Sequence, residues 1–222
     1  MEVINSTMKE KFPYEFLGIR QVRYFRPDEY PEENKIKSFI SKAYSLTPSK
    51  QGLVPYKIHV FGPKNLKEKN TLYKLTKSRD VEFQATENFQ IFAPYVLLFT
   101  SRLCSNPNPL VRRAAVKGHL YQSCDPKLYQ KERIVPCVEV GMFCNNLTNM
   151  CLSDGLNIAY TACFPNYIDH NQPKFDALKN IKGEAIYLSM SIGYADTDKL
   201  DHEIAMRKDQ YKPHTDEIID WY

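Results

Sequence analysis

The stretch that most limits what this chain can become is PCVEVGMFCNNLTNMCLSDG, residues 136–155. Proline is tolerated in a first helical turn, where its missing N–H would have no partner, and glycine suits the left-handed residue that closes a helix. Between them Cys137, Val140, Gly141, Cys144, Leu147 and Cys151 fall along one helical stripe. The spacing predicts a long helix whose stripe must be covered by other structure. Cys137, Cys144 and Cys151 stand seven residues apart and invite a metal reading. Positions a heptad apart are separated by roughly 10 Å along a helix axis, too far to share one ion. All three thiols are therefore expected to be small core residues.

The rest of the chain supplies candidates for that cover. Pro31-Glu32-Glu33 starts a second helix, in which Ile36, Phe39, Ile40, Ala43 and Tyr44 keep a three-to-four spacing through Leu46 until Thr47-Pro48 ends it. Leu66 to Lys77 reads as a surface helix. Tyr56 to Phe61 and Pro94 to Thr100 read as strands, the second of them buried. LNIAYTACF (156–164) reads as a strand or extended loop, and EAIYLSMSIGYA (184–195) as a long buried strand. Residues 101–131 mix SNPNP, VRRAAVKG and SCDPK without one period, and are expected to form a lid or excursion over the active face. The final TDEIIDWY is β-prone and apolar, an end that needs something to pack on, within the chain or on another subunit.

Composition sets the outer bounds. A chain of 222 residues with 43% hydrophobic content can bury one substantial core, and a single domain over 1–222 is expected. The net charge of +4 is the small surplus of 30 basic over 26 acidic side chains, spread along the sequence, which argues against a dedicated nucleic-acid binder. Apolar runs such as APYVLLF are far short of a membrane span, and MEVINSTMKEKF lacks the apolar core of a secretory leader. No membrane association and a cytoplasmic location are expected. The six cysteines contain no C-x-x-C pair and read as free thiols. Glycosylation-type triplets at Asn5 and Asn146 are discounted, the second because it lies in an apparent buried helix.

Chemistry-bearing residues are sparse. Arg20 and Arg23 flank Gln21 in GIRQVRYF, a spacing that lets two guanidinium groups and an amide converge on a phosphate, and Arg207-Lys208 forms a late basic pair. Taken singly, each is as well read as solvated surface charge. There is no G-x-G-x-x-G, no phosphate-binding G-x-x-x-x-G-K-[ST], no G-x-S-x-G elbow and no H-E-x-x-H, and the five histidines are scattered. Hydrolase and metalloenzyme readings lose ground, and a phosphate, if bound, is held by side chains.

The order of these pieces carries more than any one of them. An Arg-x-x-Arg-x-Phe near the start is followed by a helix ending in Pro-Ser and a proline-aromatic entry into a strand. A long middle helix ending in DGLNIAYTACF comes next, then SIGYA and a late Arg-Lys pair. Over residues 19–221 this succession resembles the FMN-dependent nitroreductase family. The resemblance implies an α+β fold with a mainly antiparallel central sheet flanked by helices, completed by homodimerisation, with residues 213–222 packing on the partner subunit.

The resemblance also implies residue roles. Arg20, Gln21 and Arg23 would hold the FMN phosphate, although Ile19 and Gln21 replace the family's usual Arg and Ser. Pro48, Ser49, Lys50 and Gly52 would belong to a loop that reaches over the flavin of the partner subunit, with Lys50, Gly52 and Val54 departing from the family pattern. Tyr160, Thr161, Ala162 and Cys163 would pass the flavin's reactive edge, with the Ala162 N–H as donor to the ring. Arg207 and Lys208 would close the phosphate site. A flavin supplies hydride chemistry itself, so no catalytic side chain is required. The implied activity is an FMN oxidoreductase, in which NADH or NADPH reduces the flavin and a nitroaromatic, quinone or similar small-molecule acceptor reoxidises it. Other flavoenzymes of the fold, such as a dehalogenase, an enone reductase, an oxidase or a flavin-degrading enzyme, remain alternatives. So does a non-catalytic flavin-binding protein, suggested by the losses at Ile19, Gly52 and Val54.

Overall fold

The structure, a computed structural model, describes residues 22–49, 52, 54–77, 87–102, 134–164, 178, 181, 184–199 and 218–219. Its elements in chain order are α1 (Glu33–Leu46), β1 (Tyr56–Phe61), α2 (Leu66–Lys77), a 3-10 helix (Phe89–Phe92), β2 (Tyr95–Ser101), α3 (Ile134–Ser153), β3 (Asn157–Thr161) and β4 (Ile186–Gly193). The four strands form one antiparallel sheet in the order β1-β2-β4-β3. This is the expected α+β arrangement, a central antiparallel sheet flanked by helices.

Side-chain alternation divides the sheet into two faces. Tyr95, Leu97 and Phe99 of β2, with Met190 and Ile192 of β4, pack against Ile36 and Ala43 of α1 and Val140, Phe143, Cys144, Leu147 and Cys151 of α3. Val96 and Leu98 point the other way, toward Leu72 and Leu75 of α2 and Ile91 of the 3-10 helix. β2 is buried on both faces, which explains its unbroken apolar run.

α3 ends as its sequence predicts. Gly155 has φ +75°, and its N–H donates to Leu152 O while the Leu156 N–H reaches back to Cys151 O at 2.9 Å. These two bonds satisfy carbonyls that the helix end would leave open. Buried Leu156 and Cys151 share the same cluster, the apolar contact that accompanies this closure.

α1 and α3 run antiparallel, pinned by Lys35 Nζ to Asp154 Oδ2 at 2.9 Å and by Asn146 Nδ2 donating to Thr47 Oγ1 at 3.2 Å. That pairing corrects one expectation. Cys144 and Cys151 are buried, but Cys137 and Gly141 are exposed. Thr47, the end of α1, lies beside Asn146. Cys137 stands nine residues earlier on α3, about 13 Å farther along the axis, where α1 no longer covers it. On α1, likewise, Ile36 and Ala43 are buried and Phe39 and Ile40 half-buried, while Tyr44 and Leu46 are exposed.

Among the described residues no helix is long and apolar enough to cross a membrane. Residues 103–131 of the expected excursion lie outside the described residues. Of the C-terminal stretch only Ile218 and Ile219 are described, and both are exposed.

Candidate functional site

β3 leaves the sheet by a short exposed step. Thr161 is buried, Ala162 and Cys163 are exposed, and Phe164 is buried again among Phe61, Leu72 and Ile91. Two small exposed residues held between two buried anchors present mainly backbone to whatever lies against them. The anchors come from alternation and size: Thr161 closes the strand on one face, and the Phe164 ring returns the chain to the core.

Tyr160 turns the opposite way. Its ring packs with the α3-side cluster, its hydroxyl lies 2.5 Å from Thr148 Oγ1, and it donates to Cys144 O at 3.3 Å. Burial pushes its phenol up to about 12, against the opposing pull of the Thr148 bond. The side chain is thus spoken for by α3, and Tyr160 can offer a ligand only its main chain. Burial likewise pushes the Cys144 and Cys151 thiols up to about 12, so both are inert packing groups.

Several other residues gather near the step. The Val22 N–H donates to Ile158 O at 3.2 Å, which lays the N-terminal segment beside β3. Arg23 follows, half-buried, with Nη1 donating to Glu87 O at 3.4 Å just ahead of the 3-10 helix. Tyr24 stacks on Phe89 with ring centroids 5.4 Å apart, and Phe89 in turn stacks on Tyr73 at 6.0 Å. From the same 3-10 helix, Gln90 Nε2 donates to Thr161 Oγ1 at 2.8 Å. Arg23, the 3-10 helix and the Thr161–Cys163 step therefore form one neighbourhood. The sequence gives no sign that Phe89 and Gln90 belong to this neighbourhood, because an isolated FQIF carries no periodic signal.

The Pro48–Val54 loop lies elsewhere. It joins α1 to β1, and β1 is the sheet edge opposite β3. Three strand spacings, about 14 Å, separate the two edges. The loop is closed on itself: Ser49 Oγ accepts the Val54 N–H at 2.7 Å, and Ser49 O accepts the Gly52 N–H at 3.0 Å. Gly52 has φ +69°, which glycine adopts without strain, whereas Val54 holds φ +45°, an uncommon conformation for a β-branched residue. Arg102 braces the exit, with Nη1 on Val54 O at 3.0 Å. Pro48 and Gly52 are exposed and Ser49 is half-buried. Arg20, Gln21, Lys50, Arg207 and Lys208 lie outside the described residues.

No protein-family model matches the sequence, and no curated protein matches it. Solved structures do match. One is a candidate nitroreductase from Exiguobacterium sibiricum in complex with FMN, at TM-score 0.61 and 14% identity, covering 100% of this chain and 99% of that one. A nitroreductase-like protein from Streptococcus mutans matches at TM-score 0.58 and 20% identity over 95% of this chain and 99% of its own. The chain has the nitroreductase fold. An FMN- and NADPH-dependent nitroreductase from Sphigopyxis sp. strain HMH also matches, at TM-score 0.57 and 14% identity over 94% of this chain and 97% of that one.

Within the nitroreductase fold the described residues suit the ring end of a flavin. The step offers small side chains and accessible backbone, and the Tyr24–Phe89 pair supplies aromatic surface near Arg23. Among the described residues no group of three or more His, Cys, Asp or Glu is placed to hold a metal ion.

Proposed function

We propose that the protein is an FMN-dependent oxidoreductase of the nitroreductase type, acting as a homodimer of single-domain chains. The observation that carries this reading is the placement of two loops on this fold. The Thr161–Cys163 step and the Pro48–Val54 loop occupy opposite edges of one sheet, about 14 Å apart, a spacing that suits a site completed by two copies. A second copy, bringing its Pro48–Val54 loop to the first copy's step, completes a site. The exposed apolar side chains Tyr44, Leu46 and Val138 on α1 and α3 suit burial in such an assembly.

FMN, when bound, supplies the hydride chemistry. The chain's part is to bind, orient and exclude. Arg20, Gln21, Arg23, Arg207 and Lys208 neutralise and hold the phosphate. The Ala162 N–H donates toward the ring, and Tyr160, Thr161 and Cys163 set the path of the backbone that carries it. Pro48, Ser49, Lys50 and Gly52 of the partner form the opposite wall. NADH or NADPH is the electron donor, and a nitroaromatic, quinone or similar small molecule is the acceptor, each entering in turn. The FMN and NADPH dependence of the Sphigopyxis protein of this fold supports the choice of cofactors.

A second reading rests on the same loop. Ser49 Oγ is used to hold Val54, and Val54 carries a strained backbone, so the loop is built for its own shape. That favours a pocket fitted to an unusual acceptor, or a flavin-binding protein without turnover. Purified protein reconstituted with FMN and treated with NADH or NADPH without oxygen distinguishes these. Bleaching of the flavin absorbance is expected. A yellow protein that neither nucleotide bleaches favours the binding role.

A further inference from the structure

Gln90 sits in the 3-10 helix with its side chain buried, at 4% exposure. Its Nε2 donates to Asn88 Oδ1 at 3.1 Å and to Thr161 Oγ1 at 2.8 Å, the second contact joining residues 71 apart in sequence. Thr161 ends β3, and the exposed step starts at the next residue. The amide therefore fastens the last fixed point before the step to a separate element.

The surroundings of this contact are costly to bury. Gln90 Oε1, Ser189 Oγ and Ser191 Oγ are enclosed without a hydrogen-bond partner among the described residues. Ser189 stands directly opposite Thr161 and Ser191 opposite Ala159, so both serines share the face on which Thr161 meets Gln90. Neighbours on that face, Val96 and Leu98, show that it accepts aliphatic side chains. Buried polar atoms without partners oppose folding, so Gln90 Oε1 is a cost set against the two hydrogen bonds that Nε2 makes. Of those two bonds, the one to Thr161 ties the 3-10 helix to the end of β3.

We infer that Gln90 is a positioning residue that fixes the Thr161–Ala162 peptide, and with it the direction of the Ala162 N–H. The Thr161 Oγ1 stands one bond from Cβ, so holding it also restrains the main chain that follows. What that N–H addresses rests on the FMN reading above; the restraint itself belongs to the chain alone.

Backbone 15N order parameters of Ala162 and Cys163, measured first in flavin-free protein, test this. In the wild type they are expected to lie in the rigid range near 0.85, and Gln90→Leu and Thr161→Val each to lower them to below about 0.7, the double variant no further than either. Thr161→Ser, which keeps the oxygen, restores them. In FMN-loaded protein the Gln90→Leu and Thr161→Val variants also shift the flavin midpoint potential. Wild-type order parameters in Gln90→Leu, or Thr161→Ser behaving as Thr161→Val, overturn the inference. Should the order parameters fall while the wild type binds no FMN, the restraint stands and the FMN reading fails.

Discussion

At the scale of single residues the structure separates side chains offered to a ligand from side chains consumed by the fold. Tyr160 belongs to the second kind, since its hydroxyl is taken up by Thr148 and Cys144 of α3. Tyr160→Phe is expected to lower stability by about 1–2 kcal/mol, the worth of a buried hydrogen-bonded hydroxyl, and to leave FMN affinity within twofold of wild type. Urea unfolding and a flavin titration check the two halves. Lys69 of α2 is buried at 1% exposure, with Nζ donating to Ala93 O at 2.6 Å and to Pro94 O at 2.8 Å. Desolvation pulls its ammonium from the ordinary 10.5 down to about 8. Between those two values the unfolded chain holds a proton that the folded chain lacks, so stability rises with pH. The two carbonyl contacts favour the charged form and temper the rise. From pH 8 to 9.5 the folded state is expected to gain about 1–2 kcal/mol, a gain that Lys69→Met abolishes in urea unfolding at the two pH values.

At the scale of elements, close approach explains positions that sequence pattern leaves silent. Gly193 ends β4 where a Cβ would stand 2.5 Å from Pro94 Cδ, 2.8 Å from Pro94 Cγ and 3.1 Å from Phe25 Cδ1. Proline and aromatic rings there cannot swing aside, so Gly193→Ala is expected to cost at least about 2 kcal/mol, read as a lowered urea midpoint. Element positions themselves were legible: β1 and α2 fall where alternation and helical spacing put them, and Gly155 closes α3 as a left-handed glycine should. Helical spacing puts Cys137 in the core, but spacing reports only which side of a helix is apolar, while the length of the covering helix decides how far the cover extends, and Cys137 is exposed. The 3-10 helix leaves no signal in the sequence for a related reason. Four residues are too few to show a period, and Gln90 reads as an ordinary polar residue until Thr161 is brought against it.

At the scale of the whole molecule, the order of short motifs pointed to an antiparallel sheet wrapped by helices, and the chain has that fold. The candidate site was legible only in pieces. A resemblance in segment order singles out Thr161, Ala162 and Cys163 as candidates, but nothing in their spacing shows that Tyr160 faces α3 while Thr161 faces the 3-10 helix. Nor did sequence reveal that the Pro48–Val54 loop is closed by Ser49 at the opposite sheet edge. That separation is what the proposed second copy would bridge. The most direct measurement is therefore FMN binding by equilibrium dialysis, on protein whose mass is determined by analytical ultracentrifugation. The account predicts a dimer that binds one FMN per chain, with affinity strongly weakened in the Arg20→Ala/Arg207→Ala double variant. Protein that stays free of flavin at excess FMN, or a monomer that binds it with full affinity, contradicts it.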